Sequence, residues 1–229
     1  MQQRELKAQW ILLLAVLVIA TCGLIYELVA GTLASYLLGD SVMQFSTIIG
    51  VYLFSMGIGS FLSKYISGNL LHWFIRIELL VGAIGGFSSA ILFLVFPLAA
   101  SFQVILYALV GVTGILVGLE IPLLMRILEH RVSFKELVSR VFTFDYIGAL
   151  LASLIFPIVL VPQLGLIRTS LFFGILNIGV GLYLLYFFKD ELKQSSLLRI
   201  TAVLLLLMEL VAFVVSEQIL KYSETMAFQ

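Results

Sequence analysis

Charged residues are scarce in this sequence. Asp, Glu, Lys and Arg make up 11% of its 229 residues, whereas soluble domains contain about 25%. Hydrophobic residues make up 62%, and the mean hydropathy is +1.18. This composition excludes a soluble globular domain as the main part of the chain. The formal net charge is zero, which gives no indication of a nucleic-acid partner.

Cysteine and histidine are nearly absent. Cys22 is the only cysteine, so it cannot form an internal disulfide, and His72 and His130 lie far from it and from each other. A metal site needs several such ligands close together. The sequence also lacks a nucleotide-binding glycine loop and the HExxH and GxSxG patterns. We therefore expect no metal, no cofactor and no catalytic residue within this chain.

Long apolar runs dominate instead. A membrane-spanning helix needs about 20 mostly apolar residues, and seven runs of this kind predict an all-α polytopic membrane protein whose residues 1–229 form a single transmembrane domain. The first run is too long for a secretory signal, so we interpret it as a retained span, with room for an interfacial break near Gly31. The runs fall at about 10–38, 43–62, 77–96, 102–124, 141–161, 166–188 and 197–215.

Basic residues in the short loops predict the orientation. With the N-terminus inside, all Lys and Arg except Arg168 and Lys221 lie on the inner side, as the positive-inside rule requires. We therefore expect a protein of the plasma (bacterial inner) membrane, with a cytoplasmic N-terminus and, after seven spans, an outer C-terminus. The segment 127–140 mixes charges with apolar residues, which fits an amphipathic surface helix or a solvated connector.

Apart from Arg199 at the inner end of the last run, six charged side chains fall within the runs, where each is a candidate for function: Glu27, Glu78, Glu120, Asp145, Arg168 and Glu209. Glu78, Glu120 and Asp145, with Arg126, are predicted to form a polar cluster near the inner side. Glu27 and Arg168 are predicted to form an ion pair near the outer side, and Glu209 has no obvious partner. These groups either pair to fix helix packing or line a cavity for a cation, since acids outnumber bases.

Small residues also recur within the runs. They permit close approach of helix backbones in lipid, where helices associate by packing, and we expect these positions to lie at helix contacts. They are Gly57, Gly59, Gly82, Gly85, Gly86, Gly114 and Gly118.

Three stretches carry a resemblance to a known family: IYELVAGTLASYLLGDSVMQFSTIIGVYLFSMGIGSFLS, VGLEIPLLMRIL and LVSRVFTFDYIGALLASLIFPIVLVPQLGLIRTSLFFGILN. Over about residues 20–185, the chain resembles the N-terminal membrane domain of the membrane-bound polyamine aminopropyltransferases, the spermidine synthase-like proteins. The matching motif positions are Glu27, Gly39, Glu120, Pro122, Arg126, Asp145, Pro157, Pro162, Gly165 and Arg168.

The resemblance implies a following Rossmann-like domain, which transfers an aminopropyl group from decarboxylated S-adenosylmethionine to putrescine. That domain's sequence is absent here, so no catalytic residue carries over. The leading hypothesis is a membrane domain that anchors such an enzyme and handles its cationic polyamine. Its partners would be the bilayer, the soluble aminopropyltransferase domain or other membrane subunits, and polyamine. The alternatives are a freestanding transporter for a cationic solute and a membrane assembly module.

Overall fold

A computed structural model describes residues 2–96, 102–129, 133–192 and 195–227. The protein is 93% helix, without a strand in the part described, which confirms the predicted all-α class. The helices are α1 (Gln2–Leu38), α2 (Ser41–Leu62), α3 (Leu70–Val95), α4 (Phe102–Leu128), α5 (Phe134–Ile155), α6 (Val161–Phe187) and α7 (Ser196–Ala227). A 3₁₀ turn (Ser63–Tyr65) follows α2, and a π-helical segment (Phe156–Leu160) joins α5 to α6.

The predicted number of seven spans is corrected to six. Six helical stretches in the described residues are long and apolar enough to cross a membrane. The count is lower because the predicted spans 141–161 and 166–188 lie in one continuous stretch, Phe134–Phe187. A helix of that length would extend about 80 Å if it were straight, far more than the roughly 30 Å of a bilayer core.

The stretch is not straight, because the chain reverses direction near Gly165. The Thr169 hydroxyl donates to the Leu160 carbonyl at 3.4 Å, although residues nine apart in a straight helix are about 13.5 Å apart. Gly165 has φ 71° and ψ 176°, a region that is essentially restricted to glycine. As a result, α5 and α6 both lie beside α1 and run in opposite directions.

Helix α1 lies at the centre and contacts α2, α3, α4, α5 and α6. It continues unbroken through Gly31, so the expected interfacial break is absent. A Cβ at Gly31 would lie 2.8 Å from the Phe45 ring, which shows that this glycine instead allows α2 to approach.

Glycines also bring α2 against α4. A Cβ at Gly59 would lie 2.0 Å from the Ile115 carbonyl oxygen, and one at Gly118 would lie 2.2 Å from that of Met56. The predicted role of these glycines is confirmed. Gly57 is different, since a Cβ there would meet nothing within 4 Å.

The surface helix considered for residues 127–140 is not formed. Helix α4 continues to Leu128 and α5 begins at Phe134, so most of this segment belongs to the ends of the two long helices. Residues 130–132, including His130, lie outside the described residues.

Candidate functional site: an acidic cavity beside the central helix

A cavity of about 210 Å³ lies beside α1, between α2, α4 and α5. Its walls are apolar except for Tyr52 and three carboxyl groups, and no Lys, Arg or His of the described ranges lines it. The lining residues are Val16, Ile19, Ala20, Gly23, Leu24, Glu27, Tyr52, Leu53, Met56, Phe74, Val117, Glu120, Ile121, Leu124, Asp145 and Ala149.

Glu27 is positioned by the contact between α1 and α2. The Tyr52 hydroxyl donates to the Gly23 carbonyl at 2.8 Å, one helical turn before Glu27. A Cβ at Gly23 would lie 3.0 Å from a Val117 methyl carbon, so α4 also approaches α1 closely here. Glu27 itself is buried and faces the cavity.

Glu120 is positioned by the tight pairing of α4 with α2, since it follows Gly118 by two residues. Pro122 lies next along α4 and has no backbone N–H, so it leaves the Gly118 carbonyl without its usual helical donor. The Glu120 side chain is 1% exposed. Neither of its carboxyl oxygens accepts from an N–H or hydroxyl group among the described residues, and the group that it pairs with is the carboxyl of Glu78.

Asp145 comes from α5, which packs closely on α1. A Cβ at Gly148 would lie 2.5 Å from the Leu17 carbonyl oxygen, and the Thr21 hydroxyl donates to the Gly148 carbonyl at 3.2 Å. These contacts turn the half-buried Asp145 toward the cavity. Helix α5 has little contact with α4, so this side of the cavity is the least covered.

The predicted polar cluster is brought together in part. Glu120 interacts electrostatically with Glu78 and Asp145, although Glu78 lies on α3 behind the cavity wall. Arg126 is not a member, because its guanidinium donates to the carbonyls of Ser63 at 2.9 Å and Ile66 at 3.0 Å. It satisfies carbonyls at the end of α2, a position that favours a cation.

The predicted pair between Glu27 and Arg168 is not formed. Arg168 donates to the Ser216 hydroxyl at 2.9 Å and to the Glu217 carboxylate at 3.0 Å, both on α7. Glu27 instead lines a cavity with Glu120 and Asp145.

Several polar residues of the interior were missed by the sequence analysis. Tyr52 lines the cavity, and the Tyr26 hydroxyl and Asn177 amide are buried without a partner among the described residues. They are uncharged and therefore escaped a search for ionisable groups. A search for any hydrogen-bonding side chain in the middle of an apolar run would have found them.

The arrangement suits an organic cation better than a metal ion. Within the described ranges, no three acidic, His or Cys side chains converge enough to hold a metal, so the carboxyls are spread along the cavity. Three acids and an apolar wall complement a molecule with an aliphatic chain and positive charges, since a buried acid is stabilised by a paired cation.

Comparison with known proteins gives consistent matches. The chain is 54% identical over 216 residues to a polyamine aminopropyltransferase of Leptospira interrogans, covering 94% of this chain and 43% of that protein. It is 58% identical to polyamine aminopropyltransferase 2 of Ralstonia nicotianae, covering 82% of this chain and 38% of that one. A polyamine aminopropyltransferase of Oceanobacillus iheyensis is 36% identical over 77% of this chain and 35% of its own length.

The chain therefore spans only about two fifths of the length of these relatives. No family model matches it, and no solved structure is significantly similar.

Proposed function

We propose that this chain is the membrane-embedded domain of a polyamine aminopropyltransferase. It belongs to the spermidine synthase-like polyamine aminopropyltransferases and corresponds to their N-terminal part. We further propose that its acidic cavity binds an aliphatic polyamine. The observation that carries the second proposal is the presence of Glu27, Glu120 and Asp145 in one largely apolar cavity that no basic residue lines.

The surface of the helices supports a membrane location. Large apolar side chains are exposed along α2, α5 and α7, including Phe54, Leu150 and Val214. A continuous apolar surface of this kind is a liability in water but matches the hydrocarbon core of a bilayer. We propose that the N-terminus is cytoplasmic, because this orientation places most of the basic residues of the loops on the inner side.

The charge of the cavity supports a cationic ligand. A buried carboxyl that lacks a counter-ion is costly, and the cost is relieved when a cation binds beside it. Putrescine and spermidine have ammonium groups separated by methylene chains. Their chains would contact walls such as Leu24 and Ile121, while their ammonium groups would contact the carboxyls.

Equilibrium binding of radiolabelled putrescine and spermidine to the purified chain in lipid nanodiscs tests this function. We expect saturable binding that is at least tenfold weaker in Glu120→Gln and in Asp145→Asn, since loss of one partner of a buried charge pair costs about 2–5 kcal/mol, and about 1.4 kcal/mol is tenfold in affinity. Glu136→Gln is the matched control, because Glu136 is exposed and pairs with Arg140 on the surface.

The competing function is anchoring alone. An absence of saturable amine binding in the folded wild-type protein would contradict a ligand role for the cavity and leave the domain as an anchor. Equal binding by wild type, Glu120→Gln and Asp145→Asn would place the amine elsewhere.

A further inference from the structure

A second set of buried polar groups lies outside the cavity, along one face of α3. Glu78, Gly82 and Gly86 are spaced four residues apart, and Ser89 continues the same face. From Glu78 to Ser89 this stripe extends roughly 16 Å, about half of the thickness of a bilayer core. The end of the stripe at Glu78 meets Glu120, which connects the stripe to the acidic cavity.

Side chains from α6 and α7 lie over the glycines of the stripe. A Cβ at Gly82 would lie 3.3 Å from the Asn177 Cβ, and one at Gly86 would lie 2.2 Å from the Glu209 Oε1 atom. Gly174 on α6 leaves room for the same carboxyl, since a Cβ there would lie 2.3 Å from Oε2. Glu209 thus occupies a notch between two glycines, deep in the protein.

Most polar atoms of this stripe lack partners. Both carboxyl oxygens of Glu209, both amide atoms of Asn177, and the hydroxyl oxygens of Ser89 and Tyr26 have no hydrogen-bond partner among the described residues. Glu78 accepts from no N–H or hydroxyl group in this part of the chain, and its carboxyl pairs with that of Glu120. Glu78, Asn177 and Glu209 are fully buried. Buried polar groups that lack a partner are destabilising, and a buried carboxyl group is less costly when it holds a proton, so these groups point to a proton as the species that binds there.

The packing around Glu209 restricts which species can bind there. The close contacts of Glu209 with Gly86 and Gly174 leave no room for an organic ammonium group, whereas a proton needs no volume of its own. Rows of acidic side chains in membrane segments serve as proton relays. Tyr26 and Cys22 on α1 also lie near these acids and interact electrostatically with Glu78 and Glu209.

We propose that Glu120, Glu78 and Glu209 form a proton pathway, in which protons move from the acidic cavity along the stripe of α3 to the notch on α7 and leave the protein from there, at the side of the membrane where α7 ends. In each step, one carboxyl releases a proton as the next carboxylate accepts one, so that no bond other than O–H forms or breaks. Coupling to the amine rests on the proposed function: when a cation enters the cavity, the proton on Glu120 leaves along this stripe, and the charge of the interior is conserved.

Proton flux into proteoliposomes tests the pathway. The purified chain is reconstituted in vesicles that contain a pH-sensitive dye, and a potassium diffusion potential is applied with and without external putrescine. We expect flux above that of protein-free vesicles in at least one of these two conditions, reduced at least fivefold in Glu209→Gln and in Glu78→Gln. Glu217→Gln is the matched control, because it lies two turns further along α7, is exposed and pairs with Arg168.

Putrescine binding to the same preparations separates the two proposals. Glu209 does not line the cavity, and equilibrium binding does not depend on the route by which the proton of Glu120 leaves. Glu209→Gln is therefore expected to bind putrescine as wild type does, which also demonstrates that the variant is folded. Intact amine binding with wild-type flux no higher than that of empty vesicles overturns the pathway and leaves the proposed function standing. Flux that depends on Glu209 without amine binding supports the pathway and contradicts the proposed ligand.

A second measurement avoids substitution altogether. A hydrophobic carbodiimide reacts with protonated carboxyl groups within membranes. In the wild-type protein, we expect it to block proton flux and to label the peptide that contains Glu78 or Glu209. Flux that persists after complete labelling of those peptides, or flux that persists unchanged in a folded Glu209→Gln variant, overturns the proposal.

Discussion

The pairing of α2 with α4 makes a quantitative prediction about two glycines on one helix. In Gly59→Ala, the new methyl group would begin 2.0 Å from the Ile115 carbonyl oxygen, whereas ordinary contact begins at 3.4 Å. The obstacle is backbone, so no side-chain rotation relieves it. In Gly57→Ala, only two residues away, the new methyl group meets nothing within 4 Å.

The two substitutions should therefore change the stability of the protein in different directions. Overpacking costs typically 1–3 kcal/mol, and we place Gly59→Ala at about 3 kcal/mol because two helix backbones must separate. Gly57→Ala should be neutral or gain up to about 1 kcal/mol from helix propensity. At roughly 2–4 °C per kcal/mol for a chain of this size, Gly59→Ala should melt about 6–12 °C below wild type.

Cys22 provides the assay. It is the only cysteine, it is buried, and its thiol contacts the Phe173 carbonyl oxygen at 3.6 Å. A thiol-reactive fluorescent dye therefore reports unfolding during a temperature ramp in detergent. Equal melting temperatures for the two variants, or a larger loss in Gly57→Ala, would refute the argument that a close α2–α4 contact requires glycine at position 59.

Three further predictions concern the reversal, the α1–α2 contact and the topology. Gly165→Ala should destabilise by about 1–3 kcal/mol because its backbone conformation suits only glycine, and a melting temperature equal to wild type would contradict this. Tyr52→Phe should cost about 1 kcal/mol through loss of its bond to the α1 backbone, measured in the same ramp; no change would mean that the bond is not maintained. In a cysteine-free background, Gln163→Cys and Asp40→Cys should react with an impermeant maleimide from one side of the membrane and Asn69→Cys from the other. Labelling of Gln163→Cys from the side of Asn69→Cys would contradict the reversal of the chain near Gly165.

Helix positions were predictable where the apolar run and the helix coincide. The runs at 43–62 and 102–124 lie within α2 and α4 and end within a few residues of them. The start of α3 was placed seven residues late, because Leu70 to Arg76 includes charged and aromatic residues. The residue that marks the true start of α3 is its N-cap, Asn69, whose side chain accepts a hydrogen bond from the His72 backbone N–H at 3.1 Å.

Partners of the ionisable groups were less predictable. Depth along a helix can be estimated from sequence, but the direction in which a side chain points depends on which helices become neighbours. Arg168 was therefore assigned to Glu27, whereas α6 presents it to Glu217 on a part of α7 beyond the predicted end at residue 215. In contrast, Glu120 interacts with both Glu78 and Asp145, two of the residues that similar depth had suggested as its neighbours.

The number of crossings illustrates a different limit. The sequence predicted two spans in this region, one before Gly165 and one after it. By length and composition, the folded chain has one continuous helical stretch there. The difference arises because Pro157 and Pro162 are accommodated in a π-helical segment and in the first turn of α6, which keeps the helical hydrogen bonding continuous until the chain reverses.

The central claim, that the acidic cavity holds an amine, is tested most directly by mapping where an amine binds. A photoreactive diamine, cross-linked to the protein in nanodiscs and located by peptide mass spectrometry, should label residues 16–27, 52–56 or 117–124, and excess putrescine should prevent the labelling. Protected labelling confined to the separate cavity that contains His72 and Arg76, or no labelling that putrescine prevents, would contradict the account.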